Sequence, residues 1–306
     1  MKKGLDVRIC EVGPRDGLQN EQQPINTETK VAWINQLVDT GLPYIELTSF
    51  VHPKWIPALS DAREVVRGVR KKQNVTFGAL VPNERGLERA LEAGIDEIAI
   101  SLSVSETHNR KNLNQSIEQT CSILMKVINE AKSAGKSIRG YLSMVFGCPY
   151  EGKVEIEQIS SLSYRLLEMG VEEISLGDTI GIATPNQVEE VLKQVSNQVP
   201  ITRIALHPHD TSGTALANTF AAYKVGVRAF DGSVGGLGGC PYAPGATGNV
   251  ATEDLVYMFE GMGVDTGVQL EKVTQCALWI QSKLKRHLPS HRLQMALAQQ
   301  KKGGVK

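Results

Sequence analysis

Residues 201–231, ITRIALHPHDTSGTALANTFAAYKVGVRAFD, contain one complete strand–helix–strand unit and decide the fold class. The apolar run Ile201–Leu206 predicts a buried strand, and Thr214–Val225 predicts an amphipathic helix that Gly226 ends. The next strand is predicted at Arg228–Asp231. Because strands joined through a helix run parallel with a right-handed crossover, this stretch predicts an α/β protein with a parallel sheet.

The same alternation extends along the chain in both directions. Eight short segments are apolar or β-branched almost throughout, as strands buried on both faces should be, and they are Val7–Val12, Tyr44–Leu47, Val75–Leu80, Glu97–Leu102, Ile138–Val145, Glu173–Leu176, Ile201–Leu206 and Arg228–Asp231. Amphipathic helices, each followed by glycine, are predicted at Thr29–Thr40, Glu84–Ala93, Ser116–Ala134, Val154–Met169 and Thr214–Val225. Eight such units favour closure into a (β/α)8 TIM barrel over an open sheet.

Two further helices, at Glu253–Met262 and Gln269–Lys285, are predicted after the eighth strand. They indicate a C-terminal helical extension of the barrel. We therefore expect residues 1–290 to form a single catalytic domain that includes these helices. Residues 291–306 are expected to form a polar tail, either a short helix or disordered.

Composition excludes several classes of partner. The 306 residues contain 33 Lys and Arg against 33 Asp and Glu, so no overall field attracts nucleic acid or an anionic membrane. No apolar run reaches the roughly 18 residues of a membrane span, and residues 1–17 contain no apolar signal core. The five cysteines form no CxxC pair. These features predict a cytoplasmic protein without a nucleic-acid or membrane partner.

Two histidines at the end of the seventh predicted strand suggest a metal site. His207 and His209 are two positions apart, so in an extended chain both side chains face the same side. Pro208 cannot donate a ladder hydrogen bond, which places the pair at the very end of the strand. The alternative is two polar residues in a loop. In a closed barrel these histidines would meet the residues that follow the first and eighth strands at one mouth.

Charged residues follow or interrupt other predicted strands. Asp16, after the first strand, would be a carboxylate ligand, and Arg15 a cation facing negative charge that develops on substrate; the alternative is an ordinary Arg–Asp turn. Glu46 lies inside a buried strand, which is costly unless the carboxylate is paired, and Arg15 is the expected partner. Asp178 ends the sixth strand, and Thr179 beside it could hydrogen-bond substrate.

The glycine-rich segment GGLGGCPYAPGATGN, residues 235–249, is the most distinctive in the chain. Such a loop can close over substrate, and we expect it to deliver Cys240 as a proton donor or acceptor. A phosphate-binding loop or a structural thiol are the alternatives, although the order of residues excludes a P-loop. Asn249 could add an amide oxygen to Asp16, His207 and His209. Four mixed nitrogen and oxygen ligands favour Mg²⁺ or Mn²⁺ over Zn²⁺.

The motifs together resemble the 3-hydroxy-3-methylglutaryl-CoA lyase family from about Val7 to Leu284. They are EVGPRDGLQNE, IELTSFV, GCPYEG, SLGDTIG, HPHDT, ALANT, VGGLGGCPYAPGATGN and TEDLVYM. The resemblance implies a TIM barrel that cleaves 3-hydroxy-3-methylglutaryl-CoA into acetyl-CoA and acetoacetate, a retro-Claisen reaction of leucine degradation and ketone-body metabolism. It also implies a CoA-thioester substrate and a homodimer.

The resemblance further implies roles for individual residues. Asp16, His207, His209 and Asn249 would bind the divalent cation, while Arg15 would stabilise the enolate oxygen. Cys240 would protonate the departing carbanion, and His207 or Asp16 would be the base. Further residues would support the site, contact substrate or contact the CoA tail, namely Glu46, Asp178, Gln19, Thr179, Lys111 and Asn112. A lyase acting on a related 3-hydroxy-3-alkylglutaryl-CoA, a metal-dependent acyl-CoA condensing synthase and a metal-dependent hydrolase remain as alternatives.

Overall fold

A computed structural model describes residues 5–21, 23, 25–239 and 248–303 as a closed parallel barrel surrounded by helices. The eight strands pair in chain order, and β8 closes the barrel against β1. The strands are β1 Arg8–Glu11, β2 Tyr44–Ser49, β3 Thr76–Leu80, β4 Glu97–Ser103, β5 Ser137–Ser143, β6 Glu173–Asp178, β7 Ile204–Pro208 and β8 Ala229–Gly232. The predicted (β/α)8 TIM barrel is confirmed.

Helices follow the strands as the alternation predicts. They are α1 Thr27–Val38, α2 Ala62–Gly68, α3 Glu84–Ala93, α4 Glu106–Leu113, α5 Ile117–Ser133, α6 Ile156–Met169, α7 Pro185–Val195, α8 Ala215–Val225, α9 Thr252–Gly261, α10 Leu270–Leu284 and α11 His291–Gly303. Left-handed glycines cap three of them, namely Gly94, Gly170 and Gly226. A glycine in the left-handed conformation is a common way for a helix to end, because glycine has no Cβ atom that clashes there.

Barrel closure brings distant segments of the chain together. Arg8 pairs with Ala229, and Glu11 with Gly232, so the turn after β1 lies beside the turn after β8. On the other side of β8, Ala205 pairs with Ala229. The ends of β7, β8 and β1 are therefore neighbours on one rim, where active sites of such barrels lie.

The seventh strand starts later than the apolar pattern predicts. Ile201–Arg203 forms a 3₁₀ turn, and the strand runs over Ile204–Pro208. His207 therefore lies inside β7, where Gly177 pairs with it, and Pro208 is the last strand residue. Pro208 fits there because it accepts a hydrogen bond from Val250 through its carbonyl and needs no donor.

Three helices of the barrel, α2, α4 and α7, do not appear among the predicted ones. The sequence does contain a signal for α7. Pro185 occupies its first helical position, and apolar residues recur at helical spacing and are buried, namely Val188, Val191, Leu192 and Val195. α4 buries only His108 and Asn109, and its polar sequence hides its periodicity.

The C-terminal helices pack onto the barrel. α10 contacts α1 and the short turn Val234–Gly236, and α9 contacts β1 and β8. Residues of the predicted tail form α11, where Leu293 is completely buried and Asp254 accepts hydrogen bonds from the first backbone N–H groups. None of the described helices combines the length and the apolar character that crossing a bilayer requires.

Candidate active site

A cavity of about 490 Å³ opens where the carboxyl ends of the strands meet. Seven of the residues that line it were singled out from the sequence, namely Arg15, Asp16, Gln19, Asn112, Thr179, His207 and His209. Gly239, the last described residue before the gap at 240–247, also lines it. The predicted site residues therefore converge on one cavity although they are far apart in the chain.

Asp16, His207 and His209 form a group that could hold a metal ion. The Nε2 atoms of the two histidines lie 3.2 Å apart, and the nearer carboxylate oxygen of Asp16 lies 3.9 and 4.0 Å from them. Two neighbouring ligands of an octahedral ion with bonds of about 2.1 Å are about 3 Å apart. The histidine pair already has this spacing, and Asp16 requires a shift of less than about 1 Å.

The charge states of these side chains suit a divalent cation. Burial alone would raise the pKa of Asp16, but Arg15 and the two histidines lower it to about 2. Burial, reinforced by His207, lowers the pKa of His209 to about 4. At neutral pH the site thus offers a carboxylate and a neutral imidazole. His209 Nδ1 is buried without a hydrogen-bond partner, so this ring is not held by protein contacts there.

Backbone geometry explains why Asp16 reaches the histidines. It lies in a short π-helical turn, Gly13–Gly17, directly after β1. A Cβ atom at Gly17 would lie 2.8 Å from the Leu237 Cβ, a separation that packed carbon atoms do not tolerate. Glycine therefore lets this turn press against the segment that follows β8.

Asn249 lies beside this group on the returning side of the glycine-rich segment. It forms an isolated bridge with His209, and its amide nitrogen donates to Asp16 at 2.8 Å and to the Leu237 carbonyl at 3.1 Å. A metal contact through the amide oxygen requires the two amide atoms to exchange places. In this structure the amide nitrogen of Asn249, and not its amide oxygen, faces the Asp16 carboxylate.

Arg15 is held on both sides by carboxylates. Its Nε donates to Glu46 at 2.7 Å, and its Nη1 donates to Asp16. Glu46 is completely buried in β2 and also accepts a hydrogen bond from the Tyr141 hydroxyl at 3.1 Å. The predicted partnership of Arg15 and Glu46 is therefore present. Gln19 donates to the same Asp16 oxygen at 2.9 Å, so three donors surround this carboxylate.

Asp178 and Thr179 occupy the end of β6. The Asp178 carboxylate accepts the backbone N–H groups of Ile182 and Ala183 at 3.0 and 3.1 Å, which fixes the turn before α7. Burial raises its pKa to about 6 against these hydrogen bonds. Thr179 lines the cavity and accepts a hydrogen bond from the Met144 backbone.

The remaining predicted residues are less central. Asn112 lines the cavity, whereas the Lys111 ammonium on the same helix lies over the Tyr150 ring, 4.3 Å from its centroid. Cys240 lies outside the described residues.

A cluster of buried charged residues inside the barrel was not predicted from the sequence. Arg139 in β5 pairs with Asp231 in β8 and with Glu173 in β6, and Asp231 contacts His207. Burial alone would raise the pKa of Asp231, but Arg139 and the His207 contact hold it well below its usual range. The signal was a charged residue inside an apolar strand, the same feature that drew attention to Glu46.

Comparison with known proteins shows the family of this chain. The HMGL-like family model matches residues 6–280. The chain is 58% identical to hydroxymethylglutaryl-CoA lyase YngG of Bacillus subtilis over 94% of its length and 97% of that protein. It is 47% identical to the mitochondrial hydroxymethylglutaryl-CoA lyase of Homo sapiens, over 93% of this chain and 87% of that protein.

Solved structures agree as well. The crystal structure of the Bacillus subtilis HMG-CoA lyase superposes with a TM-score of 0.94, covering 96% of this chain and 99% of that one at 58% identity. An HMG-CoA lyase from Acinetobacter baumannii, solved with coenzyme A and 3-methylmalate, superposes with a TM-score of 0.91 at 38% identity and 96% coverage of both chains. The chain therefore belongs to the HMGL-like family.

Proposed function

We propose that this protein is a divalent-metal-dependent lyase that cleaves 3-hydroxy-3-methylglutaryl-CoA into acetyl-CoA and acetoacetate. The observation that carries the proposal is the convergence of Asp16, His207 and His209 beside Arg15 in one cavity. The 58% identity to a lyase of that name over nearly the whole chain supports the choice of substrate.

Asp16, His207 and His209 would hold the cation, with Asn249 as a fourth ligand through its amide oxygen. Oxygen and neutral nitrogen ligands suit Mg²⁺ or Mn²⁺. When bound, such an ion polarises substrate oxygens and lowers the pKa of a coordinated hydroxyl group.

Arg15 is the cation that would stabilise the enolate oxygen of the departing acetyl-CoA. Its guanidinium is 7% exposed and its Nε is engaged by Glu46. Because its carboxylate partners hold it before substrate arrives, little reorganisation is needed when negative charge develops. Glu46 therefore acts by positioning Arg15, and Gln19 in the same cavity would contact substrate.

Proton transfers need a base for the tertiary hydroxyl and an acid for the product carbanion. Of the two bases predicted from the sequence, Asp16 fits less well because its pKa of about 2 makes it a weak base at neutral pH. His207 could act as the base only while its Nε2 is free of the cation, because its Nδ1 faces the Asp231 carboxylate. We propose Cys240 as the acid, because Gly238 and Gly248 anchor its segment next to Asn249.

The CoA tail would leave past Asn112, which lines the cavity, with Lys111 as a further contact, and Thr179 would hydrogen-bond the substrate. The complex of the Acinetobacter baumannii relative with coenzyme A supports a CoA thioester as substrate. We further propose that residues 1–290 act as one catalytic domain and that the protein works in the cytoplasm as a homodimer.

Incubation with Mg²⁺ and 3-hydroxy-3-methylglutaryl-CoA tests the proposal. Acetoacetate and acetyl-CoA should form in equal amounts, and EDTA should abolish the reaction. Release of free CoA without acetoacetate would instead indicate a hydrolase. Consumption of acetyl-CoA with a 2-oxo acid, and no cleavage, would indicate a condensing synthase. C240A should lose most turnover but retain Mn²⁺ binding.

A further inference from the structure

Asp231 contacts the candidate metal site through one of its histidines, His207. Its Oδ2 lies 3.0 Å from His207 Nδ1. Arg139 Nη2 donates to the other oxygen at 2.7 Å, and the Ser175 hydroxyl donates to Oδ2 at 2.8 Å. All four side chains are buried, and Asp231 is 1% exposed. The carboxylate is therefore fixed by two independent donors and faces the histidine ring.

These contacts determine which nitrogen of His207 carries the proton. An ionised carboxylate paired with Arg139 can only accept hydrogen bonds, so Nδ1 must be the donor. In the neutral imidazole the lone pair then lies on Nε2. Nε2 is the atom that lies 3.2 Å from His209 Nε2 and 3.9 Å from Asp16.

We propose that Asp231 is a positioning residue that, held by Arg139, fixes the tautomer and orientation in which His207 can bind the divalent cation. Carboxylates that orient metal-binding histidines in this way strengthen metal affinity. The inference rests on the metal site of the proposed function and does not depend on the substrate.

The amide of D231N cannot replace this carboxylate. Its NH₂ group must occupy one of the two oxygen positions, and each faces a donor of Arg139. The Arg139 contact at the Oδ1 position is 2.7 Å and at Oδ2 is 3.3 Å. The Ser175 hydroxyl at Oδ2 can rotate to accept instead of donating, so the NH₂ group takes the Oδ2 position. There it faces His207 Nδ1, which must become the acceptor. The proton moves to Nε2, where it blocks metal binding.

Mn²⁺ binding, followed by electron paramagnetic resonance of the free ion, measures the effect without substrate. We expect D231N to weaken Mn²⁺ binding by about 10- to 100-fold. E173Q is the matched control, because Glu173 also accepts a hydrogen bond from buried Arg139, at 2.8 Å, but makes no contact with His207. E173Q should bind Mn²⁺ within about twofold of wild type, since its ligands are untouched.

The tautomer is measured directly by ¹H–¹⁵N correlation spectra of metal-free protein labelled at histidine, with His207 assigned from its missing signal in H207Q. Wild type should carry the proton on Nδ1, and D231N on Nε2. A wild-type ring protonated on Nε2 overturns the inference even if D231N fails to fold.

Equal Mn²⁺ affinities of D231N and E173Q, or a wild type that binds no Mn²⁺, overturn it as well. If only D231N loses Mn²⁺ affinity and the wild-type protein forms no acetoacetate, the positioning role is supported and the proposed substrate is refuted.

Discussion

Gly238 offers a direct test of how the glycine-rich segment supports the metal site. Its φ of +126° is unfavourable for other residues, and a Cβ atom there would lie 2.7 Å from the amide nitrogen of Asn249. In G238A this nitrogen must move away and lose its hydrogen bonds to Asp16 and to the Leu237 carbonyl. The site is therefore perturbed without changing any candidate ligand.

The size of the effect follows from these contacts. Each lost hydrogen bond costs about 1 kcal/mol, and the left-handed backbone adds about 1–2 kcal/mol for alanine. The total penalty is about 3–4 kcal/mol. The Asn249 amide oxygen would have to take the position of this nitrogen to bind the cation, so the Cβ atom displaces it as well. If about half of the penalty falls on the metal-bound state, Mn²⁺ affinity drops by about tenfold or more, since about 1.4 kcal/mol corresponds to a factor of 10.

G239A is the control one position further along. A Cβ atom at Gly239 would meet no atom of the described residues within 4 Å, so G239A should bind Mn²⁺ as wild type does. Mn²⁺ titration and acetoacetate formation are measured for both variants. Wild-type Mn²⁺ affinity in G238A, or an equal loss in G239A, would refute the reasoning.

Four further substitutions test other parts of the structure. E46Q removes the buried carboxylate partner of Arg15, so urea unfolding should show a loss of about 3 kcal/mol and the cleavage rate should fall about 100-fold. Burial raises the pKa of Glu11 from 4.5 to about 8, so native Glu11 keeps a proton that the unfolded chain releases. Stability should fall as pH rises through this window, and E11Q should flatten the slope by up to about 1.4 kcal/mol per pH unit. G94A, at φ +86° with open space around it, should cost about 1–2 kcal/mol, whereas G41A, whose Cβ would overlap a backbone carbonyl, should cost more.

Each of these predictions has an outcome that contradicts it. Unchanged turnover in E46Q would mean that Arg15 needs no carboxylate behind it. An unaltered pH dependence of unfolding in E11Q would mean that Glu11 is ionised in the native protein. Equal losses in G41A and G94A would show that backbone conformation, and not packing, sets the requirement for glycine.

The barrel was predictable because its strands are short, apolar and separated by helices. The eight strands were found at the right places, although β7 starts three residues after the predicted Ile201 because Ile201–Arg203 forms a 3₁₀ turn. Periodicity alone does not separate a turn from the first residues of a buried strand. α4 was missed because its exposed, polar sequence gives the same pattern as a loop.

The site was predictable where chemistry and topology coincide. His207 lies near the end of β7, His209 directly after it, and Asp16 in the turn after β1, and barrel closure makes these strand ends neighbours. The link from Asp231 to His207 was not predicted, although β7 and β8 are neighbours, because it depends on which residues of each strand point into the barrel interior. The orientation of the Asn249 amide depends on contacts with Asp16 and Leu237 that no local pattern encodes.

The contact between Gly238 and Gly248 divides the molecule into the barrel and the segment between the two glycines. The sequences of these two parts can change independently of each other. A Cβ atom at Gly248 would lie 2.6 Å from the Gly238 carbonyl carbon, so the chain departs from the barrel and rejoins it at one place. Residues 239–247 can therefore be replaced as a unit. A segment of different length would begin and end at the same two glycines, while Asn249 keeps its bridge to His209. A barrel built in this way can keep the strand ends that carry Asp16, His207 and His209 while the peptide between the two glycines is exchanged, and with it the reaction that follows.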